Sequence, residues 1–212
     1  MPAVLQQSLA EGLQRLELRL DRSDQQRLLR YLTVLEKWNR AYNLTAVRDI
    51  AEMIPRHLLD SLAVLPYIKG PQVLDIGSGA GFPGIPLAVA LPAWHFVLLD
   101  SNAKKTRFLV HAAAELALNN VTVVQERVEK FHPAEKFDTL VSRAFATIAD
   151  MLVAAGHLCA AGGSIVAMKG AYPDAELAAI PGEYKVSTVQ ALLVPGLEAA
   201  RHVVVITPRS VQ

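Results

Sequence analysis

Val73-Leu74-Asp75-Ile76-Gly77-Ser78-Gly79-Ala80-Gly81-Phe82-Pro83-Gly84-Ile85-Pro86 is the stretch that decides the fold of this chain. Val73, Leu74 and Ile76 suit a strand covered on both faces, where apolar residues need not alternate with polar ones. Gly77, Gly79 and Gly81 carry no Cβ, so the backbone can turn sharply there and lie against a ligand. Pro83 and Pro86 fit a loop or a first helical turn, where a missing N–H costs nothing. The stretch predicts a buried strand, a glycine loop and a helix start. The loop then sits at the carboxyl end of a first parallel strand, the usual ligand position in open α/β sheets.

Toward the C-terminus, strand and helix patterns alternate. Strands are predicted over 73–76, 95–99, 121–124, 137–141 and 164–168, with helices over 85–91, 103–116 and 148–158. Such a series gives a parallel sheet with helices on both faces. Two later β-rich runs, 184–193 and 202–206, are joined through Pro195-Gly196 and are close enough to pair antiparallel.

Toward the N-terminus the chain reads as helical to about residue 68. Ser23 with Gln26 predicts a capping-box start. Leu28, Leu32, Leu35, Trp38 and Tyr42 then form one apolar stripe, ended by Asn43-Leu44-Thr45. Leu13, Leu16 and Leu20 mark an earlier helix, and Asp49 is placed to cap a third that reaches Pro66. Residues 1–70 are therefore expected to form a helical cap packed on a main domain of residues 71–212, with Lys69-Gly70-Pro71 as the boundary.

Composition narrows the options. A chain of 212 residues with 52% hydrophobic and 19% charged residues describes a cored globular protein. A net charge of +1 gives no global attraction to nucleic acid, so such binding would rest on a local patch. Cys159 is the single cysteine, which excludes an internal disulfide and a thiolate cluster. The first residues lack a basic segment followed by an apolar run, and the apolar run 85–99 is broken by Pro86, Pro92 and His95. The expectation is a cytoplasmic protein with no membrane partner.

Three ligand classes compete for the glycine loop. A phosphate-binding loop needs Gly-Lys-Ser/Thr after its second glycine, and none is present. A dinucleotide fingerprint needs a small residue where Phe82 stands. What remains, Gly-x-Gly-x-Gly after Val-Leu-Asp-Ile, resembles the S-adenosylmethionine loop of class I methyltransferases. Asp100 ends the second strand 23 residues after Gly77, near the spacing of about 20 at which an acid meets ribose hydroxyls. Glu126-Arg127-Val128-Glu129 follows the third strand, where this topology passes an adenine ring that Val128 could hold; the segment reads equally well as an ordinary loop and helix start. Lys104, Lys105 and Arg107 place positive charge at a helix N-terminus, which is unfavourable unless compensated. They read either as a solvated face or as phosphate contacts in an RNA ligand. Arg143, after the fourth strand, and Lys169, at the end of the fifth, point toward the same crevice or sit in structural ion pairs. His57 and Asp60 share a helix face and read as a polar pair bridging cap and sheet; a metal site would need more ligands.

Trp38-Asn39, Tyr42-Asn43-Leu44-Thr45, His57-Leu58-Leu59-Asp60-Ser61-Leu62, the glycine segment through Leu87, Leu99-Asp100-Ser101, Lys105-Thr106-Arg107-Phe108-Leu109, Ser142-Arg143-Ala144-Phe145-Ala146 and Arg201-His202 together resemble the ribosomal RNA small subunit methyltransferase G family, also known as glucose-inhibited division protein B. The likeness spans about residues 28 to 206. It implies an α/β, Rossmann-like class I fold, mostly parallel with an antiparallel C-terminal strand, plus the N-terminal helical cap. It also implies methyl transfer from S-adenosyl-L-methionine, with S-adenosyl-L-homocysteine as product, to N7 of a guanine in 16S (small-subunit) ribosomal RNA. The implied cofactor contacts are Gly77, Phe82, Val128, Glu129 and Arg143; Gly79, Gly81 and Asp100 join them from the loop reading. Guanine N7 has a lone pair and no proton, so in-line transfer requires no general base. Arg143 is then the candidate bridge between cofactor and guanine, with Lys169, Lys104, Lys105 and Arg107 as RNA contacts. The partner is small-subunit ribosomal RNA, the small ribosomal subunit or an assembly intermediate, met by a monomer. The residues alone leave two alternatives open, a non-catalytic cofactor-binding module and a small-molecule methyltransferase.

Overall fold

The computed structural model describes residues 2–143 and 145–209. Seven strands form one sheet in the order β3-β2-β1-β4-β5-β7-β6. They are β1 (Gln72–Ile76), β2 (His95–Asp100), β3 (Val121–Gln125), β4 (Phe137–Ser142), β5 (Cys159–Lys169), β6 (Tyr184–Ala191) and β7 (His202–Pro208). The first five pair in parallel, and β7 runs antiparallel to both of its neighbours. The mostly parallel sheet with an antiparallel C-terminal strand is thus present. The last two runs pair antiparallel as expected, and β7 also pairs with β5, so it lies between β5 and β6; its core, Val203 to Ile206, is buried and is covered on both edges.

Strand order reverses between β1 and β4, which opens a crevice at their carboxyl ends. Helices α5 (Gly84–Ala90), α6 (Ala103–Glu115) and α7 (Ile148–Ala155) follow β1, β2 and β4. Every side of α5 except its last residue is buried, so its apolar run continues that of the strand before it. Gly84 permits this seat. A Cβ there would lie 2.2 Å from Leu98 Cδ2 and 2.6 Å from Asp75 Oδ2.

Before the sheet stand α1 (Ala3–Arg15) and α2 (Arg22–Tyr42), and a segment made of α3 (Ile50–Met53), a π turn (Ile54–Leu59) and α4 (Asp60–Leu62). Two sequence expectations are corrected here. Asp21, not Ser23, caps α2, its carboxylate accepting the Asp24 amide at 2.8 Å. The earlier helix ends at Arg15, and Leu16 and Leu20 pack against the core from beyond it. The expected third helix does start at Asp49, which accepts the Ala51 amide at 2.8 Å. It then widens into the π turn at Pro55, which has no N–H for the α pattern. Asn43 ends α2 in the left-handed region at φ 50°, a conformation asparagine tolerates.

The stripe on α2 meets the sheet layer directly. Leu28, Tyr31, Leu32 and Leu35 share one apolar cluster with Phe82, Ile85, Phe108 and Leu109. Tyr31 is fully buried, 5.3 Å from the ring of Phe82, and its hydroxyl donates to the carbonyl of Ala80 in the glycine loop. The N-terminal helices therefore complete the core on one face of the sheet.

Because Leu98 and Asp75 both lie against Gly84, Gly84→Ala is expected to lower stability by about 1–3 kcal/mol through overpacking. Chemical denaturation measures this; wild-type stability would mean that α5 shifts at no cost.

Candidate active site

The glycine loop is held by its own unusual backbone. Gly77, Gly79 and Gly81 adopt φ of 68°, 59° and 88°, a region that disfavours residues with a Cβ. Gly77 and Ser78 amides both donate to Leu99 O, at 2.8 and 3.1 Å. Gly79 N–H donates to Asp100 Oδ2 at 2.9 Å, and the Ser78 hydroxyl to Asp75 O at 2.9 Å. A Cβ on Gly77 would meet nothing within 4 Å, and one on Gly79 only the Gly77 carbonyl at 3.8 Å, so this side of the loop is an open cradle. Gly81 differs. Its Cβ would strike Ile85, Tyr31 and Leu109 at 2.7–2.9 Å, so that glycine serves packing against the cap.

A cavity of about 300 Å³ opens over the ends of β1, β2 and β3, lined among others by Gly77, Asp100, Lys105, Val128, Glu129 and Phe145. Asp100 is nearly buried. Its two oxygens accept the Gly79 amide and, at 2.8 Å, the Asn102 amide. A carboxylate has about four acceptor sites, so capacity remains for a ligand diol. Val128 and Phe145 add apolar surface suited to a planar base. Lys105 belongs to this cavity, its Nζ 3.6 Å from Asp100 Oδ2, rather than to a separate basic face. That pairing offsets the charge of Lys105, while the Asn102 side chain accepts the Lys104 and Lys105 backbone amides and so caps α6. Lys104 and Arg107 are exposed.

The Phe82 side chain packs away from this cavity. It is 3% exposed and lies outside the cavity lining, as do Gly79 and Gly81. The ring stacks on His57 at 4.6 Å between centroids and carries the Arg143 guanidinium at 4.9 Å on its face. Bulk and apolarity turn it toward the cap, where Tyr31 and His57 offer aromatic faces.

A second cavity, about 410 Å³, lies over the ends of β4 and β5 on the other side of the strand reversal. Arg56, His57, Asp60, Arg143, Lys169 and Arg201 line it. Asp60 is buried and accepts Arg143 Nη1 at 3.3 Å on one oxygen and Arg201 Nε at 2.9 Å on the other. Of the expected polar pair, Asp60 bridges cap and sheet through the two arginines, whereas the hydrogen bonds of His57 stay within the cap, Nε2 lying 2.8 Å from Thr45 Oγ1, and it reaches the sheet side only by stacking on Phe82. Lys169 forms the structural ion pair foreseen as its alternative, with Glu176 at 2.7 Å. The role of Arg201 was missed, although Arg201-His202 stands in the sequence; its partner lies 141 residues away. Among the described residues no cluster of three or more ligating side chains could hold a metal, and no helix is long and apolar enough to cross a membrane.

A family profile described as GidB, rRNA small subunit methyltransferase G, matches residues 24–204. The ribosomal RNA small subunit methyltransferase G of Nitrosococcus oceani is 50% identical over 209 residues, covering 99% of this chain and 98% of that protein. Its counterpart in Nitrosospira multiformis is 50% identical over 205 residues, covering 93% and 95%. This chain belongs to the rRNA small subunit methyltransferase G family. Solved structures agree on the fold. TrmN of Thermus thermophilus superposes with a TM-score of 0.59 at 18% identity, covering 81% of this chain and 53% of that one. A SAM-dependent methyltransferase of Geobacter sulfurreducens, in complex with S-adenosyl-L-homocysteine, gives 0.55 at 14% identity, covering 84% and 98%.

Two buried groups beside the loop titrate abnormally, in opposite senses. Burial pushes the Asp75 carboxyl up to about 7, against the Gly84 amide that donates to it at 3.0 Å. Burial, assisted by Arg143, lowers His57 to about 4. A raised Asp75 contributes stability that is complete below about 3.8 and lost as pH rises toward 7. A lowered His57 contributes stability that is complete above 6.5 and lost as pH falls through 4. The two slopes oppose each other over the same range. In Asp75→Asn the His57 slope stands alone, so stability is expected to fall steadily from pH 6.5 to 4, by up to about 1.4 kcal/mol per unit more than in wild type. Urea unfolding across that range tests this; identical profiles for the two proteins would refute it.

Proposed function

We propose that this enzyme transfers a methyl group from S-adenosyl-L-methionine to N7 of a guanine in small-subunit ribosomal RNA. The observation that carries the reading is the pair of cavities flanking the strand reversal. One offers a carboxylate, an apolar floor and an open glycine backbone; the other is rich in arginine. The relatives are named as ribosomal RNA methyltransferases, which supports the substrate class. The enzyme would meet its RNA in the cytoplasm as a monomer, free or within the small subunit or an assembly intermediate.

The residues present fit the cofactor. Gly77 and Gly79 leave a cradle that a Cβ would fill, Asp100 retains acceptor capacity for a ribose diol, and Val128, with Glu129 beside it, borders a slot for adenine. When bound, S-adenosyl-L-methionine supplies an electrophilic sulfonium methyl and leaves as S-adenosyl-L-homocysteine. Guanine N7 has a lone pair and no proton, so no side chain has to accept one. The chain's task is alignment and exclusion of water, which together can contribute about 7–11 kcal/mol.

Arg143 is suited to both sides. Its guanidinium is held by Asp60 and by the Phe82 face, and it stands two residues before Phe145 of the cofactor cavity. From there it can donate to the carbonyl edge of guanine and hold the ring in line. Phe82 acts in this reading as the platform for Arg143, and Lys104 and Arg107 as exposed contacts for RNA phosphates. Lys169 lines the same cavity with its charge answered by Glu176, and contacts RNA in this reading through its remaining donors.

Incubating undermethylated small-subunit ribosomal RNA, free or in subunits, with methyl-labelled cofactor is expected to place the label at N7 of one guanine, as mapped by nuclease digestion. Label on another atom, or none, would defeat the proposal. Arg143→Ala is expected to keep cofactor affinity within a few-fold and to slow transfer by about 10²-fold. Wild-type turnover in that variant would remove Arg143 from the mechanism.

A further inference from the structure

The arginine-rich cavity holds a device that methyl transfer by itself does not require. Arg143 arrives from the end of β4 and Arg201 from the residue before β7, and both guanidiniums converge on the single carboxylate of Asp60. Asp60 sits beyond the π turn of the cap, so three distant parts of the chain meet at this point. The Asp60 side chain is 3% exposed, against 25% for Arg143 and 26% for Arg201. The acid is therefore interior, and the cations form the surface of the cavity.

Two features fix the guanidiniums in place. Arg201 Nη1 also donates to the Ala200 carbonyl at 2.8 Å, and Arg143 rests on the Phe82 ring. Each guanidinium carries five N–H donors, more than these protein partners accept. The remaining charges of the wall are answered separately: Lys169 by Glu176, and Arg56 by Glu52 at 3.7 Å. Two fixed cations against one carboxylate leave one positive charge, with donors to spare, in a cavity of about 410 Å³. A phosphodiester carries one negative charge, and the planar fork of arginine matches its oxygens.

We propose that this cavity is a phosphodiester subsite, in which Arg201 grips a backbone phosphate flanking the target guanine while Arg143 holds the guanine itself, and Asp60 is the positioning residue that holds both forks. The proposal rests on the RNA-methyltransferase reading above. It explains why Arg201, far from the glycine loop in sequence, is brought to the crevice. It also explains why the acid is the buried member: a carboxylate facing the ligand would repel it, whereas one behind the guanidiniums only orients them.

The experiment compares wild type with Arg201→Gln on small-subunit ribosomal RNA. The KM for RNA is expected to rise about tenfold while cofactor affinity stays within twofold. The plot of log KM against log salt should become shallower by about 0.7, the contribution of one phosphate contact on single-stranded RNA. A merely structural Arg201 would lower the melting temperature and leave that slope unchanged, which would overturn the proposal. A second measurement uses the unaltered protein, so it does not depend on how the variant folds. A guanine-containing dinucleoside monophosphate should inhibit methylation at least tenfold more strongly than guanosine, and equal inhibition would overturn the subsite. Failure of wild type to methylate the RNA at all would instead overturn the functional reading on which the subsite rests.

Discussion

A loop that stays open to a ligand leaves backbone N–H and C=O groups that no helix or strand satisfies, and near a buried sheet those groups must find partners. Here they are taken up from three directions. Leu99 accepts two loop amides and Asp100 a third; Asp75 accepts the Gly84 amide at the start of α5; and Tyr31, from the cap, donates to Ala80. An unpaired buried group costs about 1–3 kcal/mol, so four such partners make the difference between a defined cradle and a mobile segment. This is why the N-terminal helices matter to the site. They cover the aromatic face of Phe82 and Phe108, and they also complete the hydrogen bonding of the loop.

Much of this is legible in the sequence. Alternating apolar runs marked all seven strands, and the loop at the end of β1 with Asp100 at the end of β2 followed from spacing, because strand ends in a parallel sheet share one edge. The insertion of β7 between β5 and β6 was not readable, since a strand's own residues do not name its neighbours. Nor was the π turn at Pro55, because spacings of three and four run through it unbroken. Ser23 and Asp21 are both good cap residues, and local pattern cannot rank them. Phe82 was recognised as incompatible with a dinucleotide. Its turn toward the cap, however, depends on Tyr31 and His57, which come from elsewhere in the chain. The glycine that permits close helix–strand packing proved to be Gly84, two residues further on. The Asp60 hub is wholly tertiary: its acid and its two arginines each look ordinary alone.

Three nearly buried carboxylates border this site, and their surroundings assign them different work. Asp75 has one oxygen on the Gly84 amide, while the other has no partner among the described residues. It is the most isolated from opposite charge, and burial raises its pKa accordingly. Asp100 accepts two amides with a lysine nearby, so it both shapes the loop and faces the cavity over β1, β2 and β3. Asp60 accepts two guanidiniums and faces neither cavity with more than a sliver of surface.

That division separates charge across the crevice. In the proposed reading the cavity over β1 to β3, where Asp100, Glu126 and Glu129 stand beside Lys105 and Arg127, takes the diol, and the cavity lined by Arg56, Arg143, Lys169 and Arg201 takes the polyanion. His57, kept neutral by burial and by Arg143, adds no competing charge between them. The reaction read here needs no proton acceptor, so the site can devote its ionisable groups to orientation. The cost of burying them is met by pairing each with a partner fixed by the fold. Where that pairing is incomplete, at Asp75, the group lies behind the loop rather than in either cavity, and its one bonded oxygen holds the start of α5 instead of a ligand.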